Sequence, residues 1–414
     1  MAAIADGNNG PPRGAIAAIR AASGRAGLVG AWLFLILSLA GPPASSFQTA
    51  VVAPLGSSIA QHFGGGNHGA FIAQLTITLP AIGVVLGGPL TAWLITLFGY
   101  RPVIIANAAM LAVAGSAGFY TDAMLPFLAA RLLVGFSAVA LYSALVALTG
   151  VVFTGTTLSR MFSYQNGAGA ASGLLLVLLS GAVASHFGWR TSFLLYLFAS
   201  VFLLAALIVW LPSRASLAAS RASQAGEKAS LKPLIPALIL NVVVFSMVFM
   251  VIIQGSLLMA ANGISDPQVQ SVVISFSTFA YALTATLCSW VETRLLGRWT
   301  FPAALALMGM GVLVMGTVSA VWGAGLGSLL IGAGSGLSAS YLVKLVVQGA
   351  APSVRERAVG LIAPAHYLGQ SANPFIMQAL RVTVGIHMAF VIVGIVLFAG
   401  AAWAAAIRLR AARS

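Results

Sequence analysis

The stretch "AWLITLFGYR", Ala92 to Arg101, carries no charge until its last residue, and its apolar run stops at Gly-Tyr-Arg. With the apolar residues before it, back to Ala70, it exceeds the about 20 residues of helix that cross a hydrocarbon core. It reads as the end of a membrane-spanning helix, with the arginine at the water. The rest of the chain has the same character. Of 414 residues, 60% are hydrophobic and only 6% charged, with mean hydropathy +1.02. A water-soluble protein of this size could not cover its surface with so few charged groups.

Spans are expected at roughly 28–54, 70–98, 102–120, 124–153, 164–186, 191–211, 233–260, 271–291, 301–321, 324–347, 358–380 and 385–407. The expected fold class is all-α integral membrane, with twelve helices in two pseudo-symmetric six-helix bundles. The expected division is a cytoplasmic segment 1–27, a bundle 28–211, a cytoplasmic linker 212–232, a bundle 233–407 and a cytoplasmic tail 408–414. The formal charge of +14 would suit nucleic acid or an acidic partner, but the charges are placed otherwise. With the N-terminus cytoplasmic, sixteen of the twenty Lys and Arg, from Arg13 to Arg413, fall on inner segments. Only Arg190 and Arg381 lie outside, and Arg131 and Lys344 lie within the membrane. This positive-inside bias puts both termini in the cytoplasm of a bacterial inner-membrane protein, and no nucleic acid is expected as a partner.

Arg13, Arg20 and Arg25 followed by Leu28 to Ala40 imitate a secretory signal but read more simply as the approach to a first transmembrane helix. Cys288 is the only cysteine, so no intrachain disulfide forms, and its apolar span makes it a packing residue. The sizeable hydrophilic break, "LPSRASLAASRASQAGEKASLKPLIP" from Leu211 to Pro236, divides six spans from six and reads as a flexible linker. The halves echo each other: an offset of 197 lays Trp93 on Trp290 and Thr96 on Thr293, although Gly99 and Gly297 miss by one position. Repeated halves are how many secondary transporters build a site that opens to either side.

At this point the quoted stretch resembles the loop between the second and third helices of the major facilitator superfamily, whose pattern is Gly-x-Leu-Ala-Asp-Arg-x-Gly-Arg-Arg. Leu94, Gly99 and Arg101 match; Thr96 takes the place of the aspartate and Leu97 that of the first arginine. "RLLVG", Arg131 to Gly135, resembles the fourth-helix pattern Arg-x-x-x-Gly. "HFGWRTSF", His186 to Phe193, resembles the loop before the sixth helix, and "YLGQSANP", Tyr367 to Pro374, a stretch of the eleventh. The resemblance implies a cytoplasmic clasp at Thr96, Gly99 and Arg101, which threonine would weaken. Glu292, beside Arg294 and Arg298, is the candidate to supply the missing carboxylate.

The six acids, Asp6, Asp122, Glu227, Asp266, Glu292 and Glu356, lie at expected helix ends or in loops, which disfavours proton-coupled export of cations through a buried carboxylate. Arg131 is costly inside a span and should face the interior, unless it reaches the interface by its long stem; the resemblance implies a part in proton transfer or conformational coupling, and solute contact is a further candidate role. Lys344 invites the same choice. His366 is the histidine well inside a helix, a candidate proton carrier or a satisfied packing residue. Gln48, Tyr142, Gln165, Asn166, Gln254, Tyr281, Tyr341, Tyr367, Gln370 and Asn373 fall on helices that line the central cavity in the family. Each either meets solute or makes an interhelical hydrogen bond. The spacings Gly169/Gly173, Gly323/Gly327 and Gly332/Gly336 suit close helix packing; the first resembles the exporter signature Gly-x-x-x-Gly-Pro, with Leu174 in place of its proline.

No Gly-x4-Gly-Lys-Ser/Thr loop, His-Glu-x-x-His or Gly-x-Ser-x-Gly occurs, so no catalytic residue, metal or cofactor is expected. The expected function is secondary active transport of a small organic solute by alternating access, as a monomer in the bilayer, with protons as a candidate coupling ion. Efflux of an amphipathic compound leads. Uptake or exchange of an organic anion is the alternative, favoured by Arg131 and Lys344, and a non-transporting sensor or a membrane enzyme stands behind both.

Overall fold

The computed structural model describes residues 27–153, 155–209, 232–350, 358 and 360–411, and no strand occurs among them. The helices are α1 (Gly27–Leu39), α2 (Gly41–Ala50), α3 (Gly56–His62), α4 (Gly66–Phe98), α5 (Tyr100–Gly115), α6 (Ala117–Tyr120), α7 (Met124–Val152) and α8 (Gly155–Phe187). A 3-10 segment Thr191–Ala199 leads into α9 (Ser200–Ile208). There follow α10 (Ile235–Val248), α11 (Met250–Ala261), α12 (Pro267–Val291), α13 (Thr300–Thr317), α14 (Val321–Gly349), α15 (Ile362–Val384) and α16 (Ile386–Ala411). The expected N-terminal segment and most of the linker lie outside the described residues.

Nine helical stretches among the described residues are long and apolar enough to cross a membrane, ten if the bent pair Trp32–Leu39 and Gly41–His62 counts as one. The expectation was twelve, and two features account for the difference. The stretch Pro267–Thr317 counts once but holds both α12 and α13, joined through a π turn Glu292–Leu296 and a 3-10 turn Gly297–Trp299. Helix α15 falls short because His366, Tyr367, Gln370, Ser371 and Asn373 dilute its apolar content.

The turn at Gly99 has a backbone cause. Helix α4 stops because Gly99 adopts φ +85° while its N–H still reaches the Ile95 carbonyl at 2.9 Å. L side chains rarely adopt that region, so glycine is required, and α5 starts at the next residue. The first span bends by 54° at Pro42-Pro43, which cannot donate the backbone bonds a straight helix needs. Glycine spacing works as packing: a Cβ on Gly332 would stand 2.2 Å from the Ser277 carbonyl oxygen, and one on Gly336 2.4 Å from that of Tyr281. Backbones of α12 and α14 touch there, as small residues allow in membranes.

Residues 27–209 and 232–411 meet most firmly at the end where α3 and α11 terminate. Ser57 Oγ donates to Gln270 Oε1 at 3.1 Å, Gln378 Nε2 to the Asn67 carbonyl at 3.1 Å, and Phe71 packs edge-on against Phe375 at 5.8 Å. The expected cytoplasmic loop, at Gly99, lies at the far end of α4 from these bonds.

Candidate functional site

Breaks in the spans leave carbonyl groups that no helical N–H can reach, and in lipid each must find another donor. The Thr76 carbonyl faces Pro80, which has no N–H to give it. Arg131 Nε donates to it at 2.9 Å. Helix α2 ends at Ala50, and the Val52 N–H turns to Thr49. The Gln48 carbonyl so released takes Arg131 Nη2 at 2.5 Å. Arg131 Nη1 donates to the Tyr196 hydroxyl at 2.7 Å, and that hydroxyl donates on to the Phe47 carbonyl at 2.7 Å. Arg131 is 1% exposed, and none of these partners is a carboxylate. Its guanidinium pins α2, α4 and the 3-10 segment Thr191–Ala199 to α7, and it is not presented to a solute in this conformation. The same logic governs Gln165: the Ser38 carbonyl faces Pro42, and Gln165 Nε2 reaches it at 2.5 Å while also meeting Thr149 Oγ1 at 2.8 Å.

Nearer the closed end, amides bridge the two parts of the chain. Gln254 Nε2 donates to Gln74 Oε1 at 3.1 Å and to Asn373 Oδ1 at 2.9 Å. Asn373 Nδ2 reaches the Ser246 carbonyl at 2.6 Å, at the break between α10 and α11. Gln370 Nε2 makes a long contact of 3.4 Å to the Ile77 carbonyl. Five buried amide atoms among the described residues have no hydrogen-bond partner, and three of them, Gln48 Oε1, Gln74 Nε2 and Gln370 Oε1, belong to this group of helices.

The centre is marked by Gln48 Nε2, which donates to the Tyr367 hydroxyl at 2.9 Å across the two parts of the chain. Tyr142 and Tyr281 stand within electrostatic reach of that hydroxyl. Both rings are exposed to solvent. Helices α2 and α15 are thus joined by Gln48 and Tyr367, while Tyr142 and Tyr281 lie on α7 and α12.

Other expected residues lie elsewhere. Tyr341 stacks on Phe301 with ring centroids 4.8 Å apart and accepts a hydrogen bond from Arg408, so it packs among α13, α14 and α16. Lys344 Nζ lies 2.5 Å from Glu292 Oε1, and Asn166 is exposed on α8. In this conformation the Glu292 carboxylate, the candidate for the cytoplasmic clasp, is paired with Lys344. Thr96 Oγ1 donates to the Trp93 carbonyl of its own helix at 2.5 Å. Arg101 Nη2 donates to the Leu207 carbonyl at 2.6 Å, closing α5 on α9 inside one part of the chain. Arg298 lies over its neighbour Trp299 at 5.4 Å, and Arg294 is exposed. His366 stacks on Phe245, centroids 3.4 Å apart, and its Nε2 lies 2.9 Å from Asn241 Oδ1. The sequence reading passed over Gln74, Asn241 and Tyr196. The signal for Tyr196's partner was Pro80, whose missing N–H demands a donor from a neighbouring helix.

Residues 43–260 match the family model described as Major Facilitator Superfamily. No curated protein matches the chain. Among solved structures, a D-xylose-proton symporter is similar with TM-score 0.71 and 16% identity, over 90% of this chain and 97% of its own. The xylose transporter XylE from E. coli, in an inward-open conformation, gives 0.65 and 16% over 89% and 94%. A POT family transporter in complex with a thioalcohol-conjugated peptide gives 0.69 and 12% over 96% and 99%. At such identities the likeness is one of fold.

Proposed function

The chain belongs to the Major Facilitator Superfamily and is a secondary transporter, and we propose that it exports an amphipathic organic compound by alternating access between halves 28–211 and 233–407. The observation that carries this reading is the Gln48–Tyr367 bond between the two parts of the chain, with Tyr142 and Tyr281 within electrostatic reach of it: one amide and three phenols, with no charge. Aromatic faces bury apolar surface and attract cations, while the amide and hydroxyls orient a polar group. The anion alternative loses its candidates in this conformation, because Arg131 is fully engaged by backbone and tyrosine and Lys344 is paired with Glu292.

The charge bias supports a cytoplasmic location for both termini in an inner membrane. With that topology the firmly joined end is external, so this conformation faces inward. The Gln48–Tyr367 bond is the link a solute would replace before the halves rock apart.

The test is counterflow in proteoliposomes with aromatic dyes, neutral and cationic, against a panel of carboxylates. Acceleration by dyes is expected, and Tyr367→Phe should weaken their apparent affinity about 5- to 10-fold, the value of one hydrogen bond of roughly 1 kcal/mol. Acceleration by a carboxylate together with indifference to dyes would remove the reading.

A further inference from the structure

At the ends next to the turn 263–266, α12 and α14 part to leave a groove of about 540 Å3, a volume suited to a small ligand. Its walls are apolar: Val272, Val273, Phe276, Leu326 and Leu329. Further along, the same helices touch at Gly332 and Gly336, so the groove is a wedge that narrows into the bilayer.

Polar chemistry is confined to its mouth. Asp266 Oδ1 caps α12 by accepting from the Gln268 N–H at 3.0 Å, and Asp266 has no ion-pair partner among the described residues. The other described carboxylates do: Asp122 meets Arg190 and Glu292 meets Lys344. Across the groove, α14 begins at Val321 with no side chain bonded to its first-turn N–H groups, which gives a positive helix end suited to a phosphate. Trp322, 65% exposed, also lines the groove, and indoles favour the headgroup level.

We propose that this groove holds one acyl chain of an amine-headed phospholipid, with the ammonium on the Asp266 carboxylate and the phosphate at the α14 N-terminus. Charge complementarity selects the headgroup. A phosphatidylglycerol brings no cation, and a choline has no N–H to donate to the carboxylate. None of Tyr142, Tyr281 and Tyr367 lines the groove, so the proposal is independent of the solute exported.

The test uses full-length protein in nanodiscs of equal phosphatidylethanolamine, phosphatidylcholine and phosphatidylglycerol, followed by native mass spectrometry of the lipid retained. Enrichment of the ethanolamine lipid by about 5-fold is expected, the ratio given by one exposed ion pair near 1 kcal/mol. Asp266→Asn keeps the cap, because Asn serves as well as Asp there, and should bring retention close to the input ratio. Val272→Trp fills the wedge and should lower retention of every headgroup. Equal retention of the three lipids by the unmodified protein overturns the proposal, as does undiminished enrichment in Asp266→Asn or undiminished retention in Val272→Trp.

Discussion

Replacing Arg131 by Met and, separately, by Lys tests whether this buried cation serves the membrane domain through its charge or through the fork of its donors. Met removes a charge whose placement mid-membrane costs about 2.5–3.5 kcal/mol on insertion scales. It also strips the donor from the Thr76 carbonyl, the Gln48 carbonyl and the Tyr196 hydroxyl. A buried acceptor left bare costs roughly 1–3 kcal/mol, so three such losses outweigh the recovered desolvation by about 3 kcal/mol at mid-range. Lys keeps the charge, but one ammonium cannot reach three acceptors that lie on three different elements. The desolvation cost stays and at least one acceptor goes bare, so Lys should be no better than Met, within about 1 kcal/mol. Cys288 provides the readout, being the only cysteine and buried: a thiol-reactive dye reports unfolding in detergent. Taking about 2 °C per kcal/mol for a large chain, both variants should melt roughly 6 °C below the unmodified protein. A Lys variant that melts with the unmodified protein while Met does not would refute the fork argument, and two unchanged variants would refute the energetic role altogether.

The pairing of Gln165 with the carbonyl that Pro42 leaves bare predicts a coupling. Gln165→Leu alone should destabilise, but Pro42→Ala restores an N–H for Ser38, so the double variant should be more stable than the sum of the singles by about 1 kcal/mol; strict additivity in the same melting assay would break the link. His366 is oriented by Asn241, whose Nδ2 donates to the Ala237 carbonyl at 2.9 Å and so turns Oδ1 toward the imidazole; the ring then carries its hydrogen on Nε2 and offers Nδ1 as an acceptor. His366→Ala should abolish flux driven by a pH gradient in proteoliposomes while leaving solute binding intact, and unchanged gradient dependence would eliminate the proton role.

The helices were legible because lipid leaves so little choice. A run such as Ala70 to Phe98 must satisfy its backbone internally, and only α-helix does so along one segment. The same rule explains why the roles of several site residues stayed open between solute contact and interhelical bond. Polar side chains within spans were weighed one at a time as solute contacts or interhelical bonds, although prolines in the same sequence already specified where donors had to go. Pro80 calls for a donor at Thr76 and Pro42 for one at Ser38; what the sequence alone does not disclose is which neighbouring helix brings it, since that depends on the packing of α7 and α8 against α2 and α4. Once Arg131 and Gln165 are assigned to those carbonyls, and Lys344 to Glu292, the groups left without such duties include Gln48, Tyr142, Tyr281 and Tyr367. Their residue types were visible from the start, but their convergence comes only from the crossing of four helices drawn from both ends of the chain. Tyr341 shows the limit of the reading: it has the same chemistry at an equally plausible depth, yet Phe301 and Arg408 hold it to the far side of α14. In a bundle whose spans are nearly all apolar, a polar residue is therefore informative only after the broken backbone has been supplied with donors, and the remainder points to the solute path.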